Sequence, residues 1–235
     1  MTLSAVAAEA PVKILATIAV QGAFADIEPL LSPRAGVPVK IGFAQTSSIV
    51  ERLMNGETAD LVILTKQAVQ PLAAKGRVQS QTDLVSGVIG IAVPDNARPP
   101  VLKTTEDFVA FLKATPSIAY TSSGVSGLHM AQLIEQFGLT HVMKPKTTLV
   151  NDGFAAPLLR QGKVAAAVQQ ISELKAGGAK NIVPLPDAIQ LRTTFTVAVV
   201  NGTTRADAAA RVVRVLTSPE ASAIYQRSGL SPVFK

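Results

Sequence analysis

Short apolar runs alternate along this chain with longer stretches in which apolar residues recur every three or four positions, and each change of period predicts a change of element. Residues 12–17 read as a strand. Residues 18–31 follow as a helix with Ala23, Phe24, Ile27, Leu30 and Leu31 on one face, expected to close at Ser32-Pro33. Residues 37–44 form a second strand. Ile49, Leu53 and Met54 then mark the apolar face of a helix that Asn55-Gly56 stops, and 61–64 is a short buried strand. This β-α-β-α-β rhythm predicts a parallel sheet, in which the ligand crevice lies at the carboxyl ends of the strands.

A helix over 67–75 ends at Gly76, and the β-rich run 85–93, interrupted by Gly87 and Gly90, carries the chain out of this first unit before Pro94 and Pro99-Pro100. Thr104-Thr105-Glu106-Asp107 starts a helix that buries Phe108, Val109, Phe111 and Leu112. A strand at Ile118, a helix over 128–137, strands over 147–150 and 164–168 and an intervening helix ending near Gln161-Gly162 repeat the alternation. Residues 190–200 form a second long strand able to return the chain to the first unit, and 207–216 and 219–228 are terminal helices. No tandem repeat is evident.

Two junctions concentrate hydroxyls and glycines where a strand ends and a helix begins: Thr46-Ser47-Ser48, and Thr121-Ser122-Ser123-Gly124-Val125-Ser126-Gly127. The first N–H groups of a helix lack partners and carry partial positive charge, so such a junction suits an anion. An ordinary N-capped helix uses the same residues, which leaves both readings open on the loops alone.

Composition narrows the choice. Apolar residues make up 48% of the 235, but aromatics only 4% and there is no Trp, so the core is built from Ala, Val, Leu and Ile, as helices packed on sheet require. The net charge of +6 fits an anionic partner; the basic residues are dispersed and lack interleaved aromatics, which argues against nucleic acid. With no cysteine, disulfides and thiolate chemistry are excluded. His129 and His141 lie twelve residues apart without a ligand-spacing motif, so neither metal nor cofactor is expected. Residues 3–10, small and Ala-rich, look like the end of an export signal, and no stretch has the apolar length of a membrane span.

From Pro11 onward the chain resembles type II periplasmic solute-binding proteins, most closely their molybdate-binding (ModA-like) branch. The likeness rests on Phe43-Ala44-Gln45-Thr46-Ser47-Ser48-Ile49 followed by Asn55-Gly56-Glu57-Thr58-Ala59-Asp60-Leu61-Val62-Ile63, on Gly124-Val125-Ser126-Gly127, and on Val168-Gln169-Gln170-Ile171-Ser172-Glu173. The resemblance implies a two-lobed α/β fold, each lobe a mixed, mostly parallel sheet flanked by helices, joined by two crossing strands. It implies lobes of 11–87 with 196–235 and of 88–195; residues 1–10 precede them as an export-signal remnant or a flexible tail. It further implies an exported monomer that binds a small anion between the lobes and hands it to the membrane permease of an ABC transporter.

Residue by residue, the family's four ligand loops fall on Thr17, Ile18 and Ala19; on Thr46, Ser47 and Ser48; on Ser123, Gly124, Val125 and Ser126; and on Gln169 and Gln170. Two departures stand out. The first loop offers only the Thr17 hydroxyl, and Gln169-Gln170 stand where molybdate binders generally carry a Tyr. Gln supplies donor and acceptor together, which suits a carboxylate or hydroxy acid as well as molybdate. A competing reading is an isomerase on the same scaffold acting on a tricarboxylate such as aconitate, with His129, Asp152 and Glu173 as candidate proton carriers. Against that, His129 reads as a helix-face residue, Asp152 as a turn residue and Glu173 as a solvated charge at a helix start. A cytosolic sensing domain would share the fold but lacks a helix-turn-helix here.

Overall fold

A computed structural model describes residues 9–234; most of the stretch read as an export remnant, 1–8, lies outside the described residues. In chain order the elements are β1 (Val12–Thr17), α1 (Gln21–Ala35), β2 (Val39–Ala44), α2 (Thr46–Met54), β3 (Leu61–Thr65), α3 (Lys66–Ala74) and β4 (Val78–Ala92). Next come α4 (Thr105–Ala114), β5 (Ile118–Thr121), α5 (Val125–Gln136), α6 (Thr140–Met143), β6 (Thr147–Val150), α7 (Ala156–Arg160), β7 (Ala166–Gln170), α8 (Ile171–Ala176) and β8 (Ile182–Pro184). The chain closes with β9 (Arg192–Val200), α9 (Ala206–Leu216), α10 (Pro219–Arg227) and β10 (Ser231–Pro232).

The strands run in the order β2-β1-β3-β9-β4-β7-β5-β6, with β8 and β10 added to β4. Each half has a parallel centre: β1 lies between β2 and β3, and β5 between β6 and β7. The two long strands β4 and β9 cross antiparallel between these centres. β4 pairs with β9 as far as Val88 and with β7 from Ile89, so one strand serves both lobes.

Period-two burial splits each sheet's side chains between two cores. From β3, Leu61 and Ile63 join a cluster with Phe24, Ile27 and Leu31 of α1 and Val212 of α9, whereas Val62 and Leu64 turn to Ile49 of α2 and Leu72 of α3. In the second lobe Ile118 and Val168 pack with Phe108 of α4 and Met130 of α5, while Ala119 and Ala167 face Leu159 of α7 and Leu174 of α8. Helices therefore cover both faces of both sheets, the arrangement expected of parallel sheets.

Two expectations need correction. Helix α1 begins after a single 3₁₀ turn, Ile18–Val20, and runs through Pro29 and Pro33 to Ala35. Both prolines lie on its exposed face, where water can solvate the carbonyls they leave unpaired, and Gly36 stops the helix in the left-handed conformation (φ 64°). Strand β4 begins at Val78, seven residues before the apolar run that signalled it, because polar residues 79–83 are held by pairing to β9, with bulges on either side of Thr82 and Asp83.

Candidate functional site

Thr17, Thr65, Thr121 and Gln170 are the last residues of β1, β3, β5 and β7, and the junctions after β2 and β5 start α2 and α5. The carboxyl ends of the parallel strands of both lobes thus meet at one place, a cavity of about 430 Å³. Thr17, Ala19, Gln45, Thr46, Ser47 and Thr65 line it from the first lobe; Ser123, Gly124, Val125, Ser126, Gln170 and Glu173 line it from the second. Val50, Ala68, Leu128 and Phe195 add apolar wall, and Glu51 is exposed at its edge. No Lys, Arg or His contributes to the lining.

Nine of the twelve residues predicted from the loops are brought together there. Ile18, Ser48 and Gln169 are not part of the wall. Ile18 is buried in the 3₁₀ turn, whose three-residue period directs it away from Thr17 and Ala19. Ser48, half-buried, is carried round α2 from Thr46 and Ser47. Successive strand residues face opposite sides, so only one of Gln169 and Gln170 can reach the cavity. Gln169 points the other way: its Oε1 accepts from Ala155 N at 2.7 Å and its Nε2 donates to Gly153 O at 3.2 Å, a buried brace for the chain entering α7. Gln170 Nε2 donates to Thr193 Oγ1 at 3.1 Å, tying the cavity wall to β9.

Helices α2, α3 and α5 all begin at the cavity, and none has a side-chain cap or an acidic residue in its first turn. Elsewhere Thr104 and Asp107 form a reciprocal capping box on α4 and Ser218 caps α10, whereas α7 and α9 have no side-chain cap. The first N–H groups of α2, α3 and α5 are therefore left for a ligand, with nothing in the first turn to oppose the positive end of each helix.

Glycine sets the spacing across the gap. A Cβ at Gly124 would lie 2.6 Å from Thr121 Oγ1 and 3.3 Å from Gln45 Oε1, so the junction after β2 presses its carboxamide against the start of α5. Gln45 Nε2 and Thr121 Oγ1 are buried without a protein partner. Gln45 and Thr65 escaped the sequence reading. Thr65 repeats the strand-end hydroxyl seen at Thr17, which could have signalled it; Gln45 offered no sign beyond its place beside Thr46.

Glu173 corrects the expectation of a solvated charge: it is 6% exposed. Its Oε2 accepts Gln170 N–H at 3.1 Å, and no ion pair among the described residues includes it. Desolvation pushes its carboxyl up to about 7, only partly opposed by that backbone hydrogen bond. His129 is half-buried on α5 with Nε2 2.8 Å from Ile189 O, and Asp152 accepts from Gly153 N in an exposed turn; neither lines the cavity.

A second cavity, about 490 Å³, lies at the amino ends of β1 and β3. Lys13 there pairs with Glu57, Asp60 accepts from Thr203 Oγ1 and the Lys13 N–H, and Arg205 donates to Ala10 O, while Arg77 also lines it; the loops predicted to hold a ligand gather at the strand-end cavity instead.

A model of the bacterial extracellular solute-binding protein family matches residues 12–231, and the chain belongs to that family. Aconitate isomerase from a Pseudomonas species is 28% identical over 229 residues, covering 94% of this chain and 87% of that protein. The periplasmic molybdate-binding protein of Azotobacter vinelandii superposes with a TM-score of 0.73 at 14% identity, covering 95% of this chain and 99% of that one. A tungstate ABC transporter structure from Geobacter sulfurreducens gives 0.69 at 18% identity, covering 94% and 99%. The fold is that of a type II periplasmic binding protein, as the sequence led us to expect. Among the described residues no helix is long and apolar enough to cross a membrane.

Proposed function

We propose that this protein is a periplasmic receptor that closes its two lobes on a small anion and delivers it, as a monomer, to the permease of an ABC transporter. The observation that carries this reading is the convergence of three uncapped helix starts and the hydroxyls of Thr17, Thr46, Ser47 and Ser126 on a cavity lined by no cationic side chain. Such a wall recognises negative charge through oriented N–H and O–H donors, with hinge closure in place of bond chemistry. The bodies that close are 11–87 with 196–235 and 88–195, a division supported by the change of partner in β4 at Val88 and Ile89. At about 430 Å³ the cavity lies within the range of roughly 300–1,000 Å³ common for small-molecule sites, which favours an organic carboxylate over a lone tetrahedral oxyanion.

Thermal shift and calorimetry against molybdate, tungstate, sulfate, phosphate, citrate, cis-aconitate and trans-aconitate test the proposal, since a ligand of the native state raises the melting temperature by mass action. Stabilisation by at least one of these anions is expected, strongest among the carboxylates. A melting temperature unmoved by all of them defeats the reading.

A second reading, isomerisation of a tricarboxylate, draws on the 28% identity to an aconitate isomerase and on one residue, the cavity-lining Glu173, as a group able to take and return a proton. Incubation with cis-aconitate followed by chromatographic detection of the trans isomer decides it. Bound aconitate recovered unchanged assigns the protein to transport alone.

A further inference from the structure

The wall contains one feature that an anion site would be expected to avoid. Glu173 contributes a carboxyl to the same cavity as the helix starts of α2 and α5, and no Lys, Arg or His of the lining neutralises it. An ionised carboxylate beside an anion in a cleft shielded from water repels it strongly, because the local dielectric is far below that of bulk solvent. Either the anion is excluded or the carboxylate is discharged.

Its surroundings favour discharge. One oxygen of Glu173 is taken up in accepting the Gln170 N–H at 3.1 Å, leaving the other to carry a proton and donate it. The elements packed on α8 are β4, α1, β7, β8 and the 3₁₀ turn. Their titratable groups are engaged or exposed: Asp83 of β4 is bound by Lys66 and Thr196, and Asp26, Glu28 and Arg34 of α1 are exposed, as is Lys175 on α8 itself. β7, β8 and the 3₁₀ turn carry none, and Glu51, on α2 at the cavity edge, adds only further negative charge.

We propose that Glu173 meets the bound anion as a neutral carboxylic acid, so that the cleft takes up a proton together with its ligand. This rests on the anion-receptor reading above and adds a donor that the hydroxyl loops do not supply. Burial already raises the Glu173 carboxyl to about 7 in the free protein, and a bound anion raises it further. The sign follows. Below about pH 7 the acid is in place and affinity is at its full value; above it, each pH unit costs the proton that binding requires, so affinity falls about tenfold per unit until the pKa of the complex is reached.

The test uses molybdate and sulfate, whose own charges are constant above pH 6, and trans-aconitate, whose last carboxyl is ionised above about pH 7 where the slope is read, with calorimetric titrations of the full chain from pH 6 to 9. For whichever of them binds at pH 6, we expect the affinity to fall about tenfold per unit above pH 7, with about one proton taken up per ligand at pH 8 when buffers of different ionisation enthalpy are compared. E173Q keeps a side chain able to accept the Gln170 N–H and is permanently neutral; its affinity is expected to be constant from pH 6 to 9 and within about threefold of the wild type at pH 6. H129Q, altered outside the cavity wall, is expected to keep the wild-type slope. A flat wild-type profile without proton uptake overturns the coupling while leaving the receptor reading intact, as does an E173Q profile that retains the slope. If E173Q does not fold, E173M, neutral and of similar length, takes its place in the comparison of slopes, and its loss of the slope is expected. No binding of these probes at pH 6, with a melting temperature unmoved by all seven anions of the thermal-shift test, overturns both.

Discussion

The carbonyl oxygen of Thr121 fills the space that a side chain on Gly127 would occupy: a Cβ there would stand 1.7 Å from it. The end of β5 and the first turn of α5 are thus in contact through bare backbone, and this contact sets Ser126 and Gly124 at the cavity wall. G127A must push helix and strand apart. We expect a loss of about 1–3 kcal/mol in urea unfolding, the usual cost of overpacking, together with a fall in anion affinity. A variant as stable as the wild type would mean that the helix start moves freely, contrary to the close packing found here.

Ser47 and Ser126 offer hydroxyls to the cavity from opposite lobes, at the starts of α2 and α5. Hydrogen bonds to charged groups contribute about 1.5–3 kcal/mol, so S47A and S126A are each expected to weaken the anion detected by thermal shift by roughly 10- to 150-fold in calorimetry. S48A, on the same turn but outside the wall, is expected to bind as the wild type does. Equal affinities for all three variants would remove the hydroxyls from the site.

Gln169 is buried at 0% exposure and holds two backbone groups that face no other partner across that gap, Ala155 N and Gly153 O. Q169A strands both. The expected cost is about 2 kcal/mol or more in urea unfolding at pH 7, because each buried group left unpaired costs about 1–3 kcal/mol. Q169E tests the polarity of the brace: it keeps the acceptor for Ala155 N but sets a carboxylate against the Gly153 carbonyl, and is expected to melt below the wild type.

Glu57 accepts from both Arg52 and Lys13, and those hydrogen bonds, that from Arg52 foremost, hold its carboxyl down to about 2. A depressed carboxylate stabilises the fold above its unfolded pKa, near 4.5, and that contribution disappears as pH falls from there toward 2. E57Q is therefore expected to be less stable than the wild type at neutral pH and to converge with it in acid, by chemical denaturation between pH 2 and 7. Solvent screening keeps the difference modest at this half-exposed position, and added salt is expected to shrink it. A stability gap that is unchanged between pH 7 and pH 2.5 would show that the ion pairs contribute nothing.

The fold was legible in this sequence where burial is periodic. β1, β2, β3 and β5, the face of α4 and Ile49 and Leu53 of α2 follow from apolar spacing alone, because residues that share a face must repeat with the geometry of their element; Met54, expected on the same face of α2, is instead exposed at the end of the helix. The start of β4 was hidden, since residues 79–83 are polar and their strand conformation comes from hydrogen bonds to β9, which returns more than a hundred residues later. The course of α1 past Pro33 depended on which side of the helix meets water, and that is decided by the lobe it packs against.

For the site, the hydroxyls and glycines at strand ends could be read directly, as helix starts in β-α units need such residues and unfilled N–H groups bind anions. What only the tertiary structure decided is which polar groups lose their water. Alternation dictates that Gln169 and Gln170 face opposite ways, but only the position of β7 between β4 and β5 assigns Gln170 to the cavity and Gln169 to the brace behind it. Gln45 and Glu173 look like ordinary polar residues at helix starts until the two lobes bring them to one cleft. Desolvation, which turns Glu173 from a surface charge into a carboxyl poised near neutrality, arises from packing between segments distant in sequence, and no local pattern encodes it.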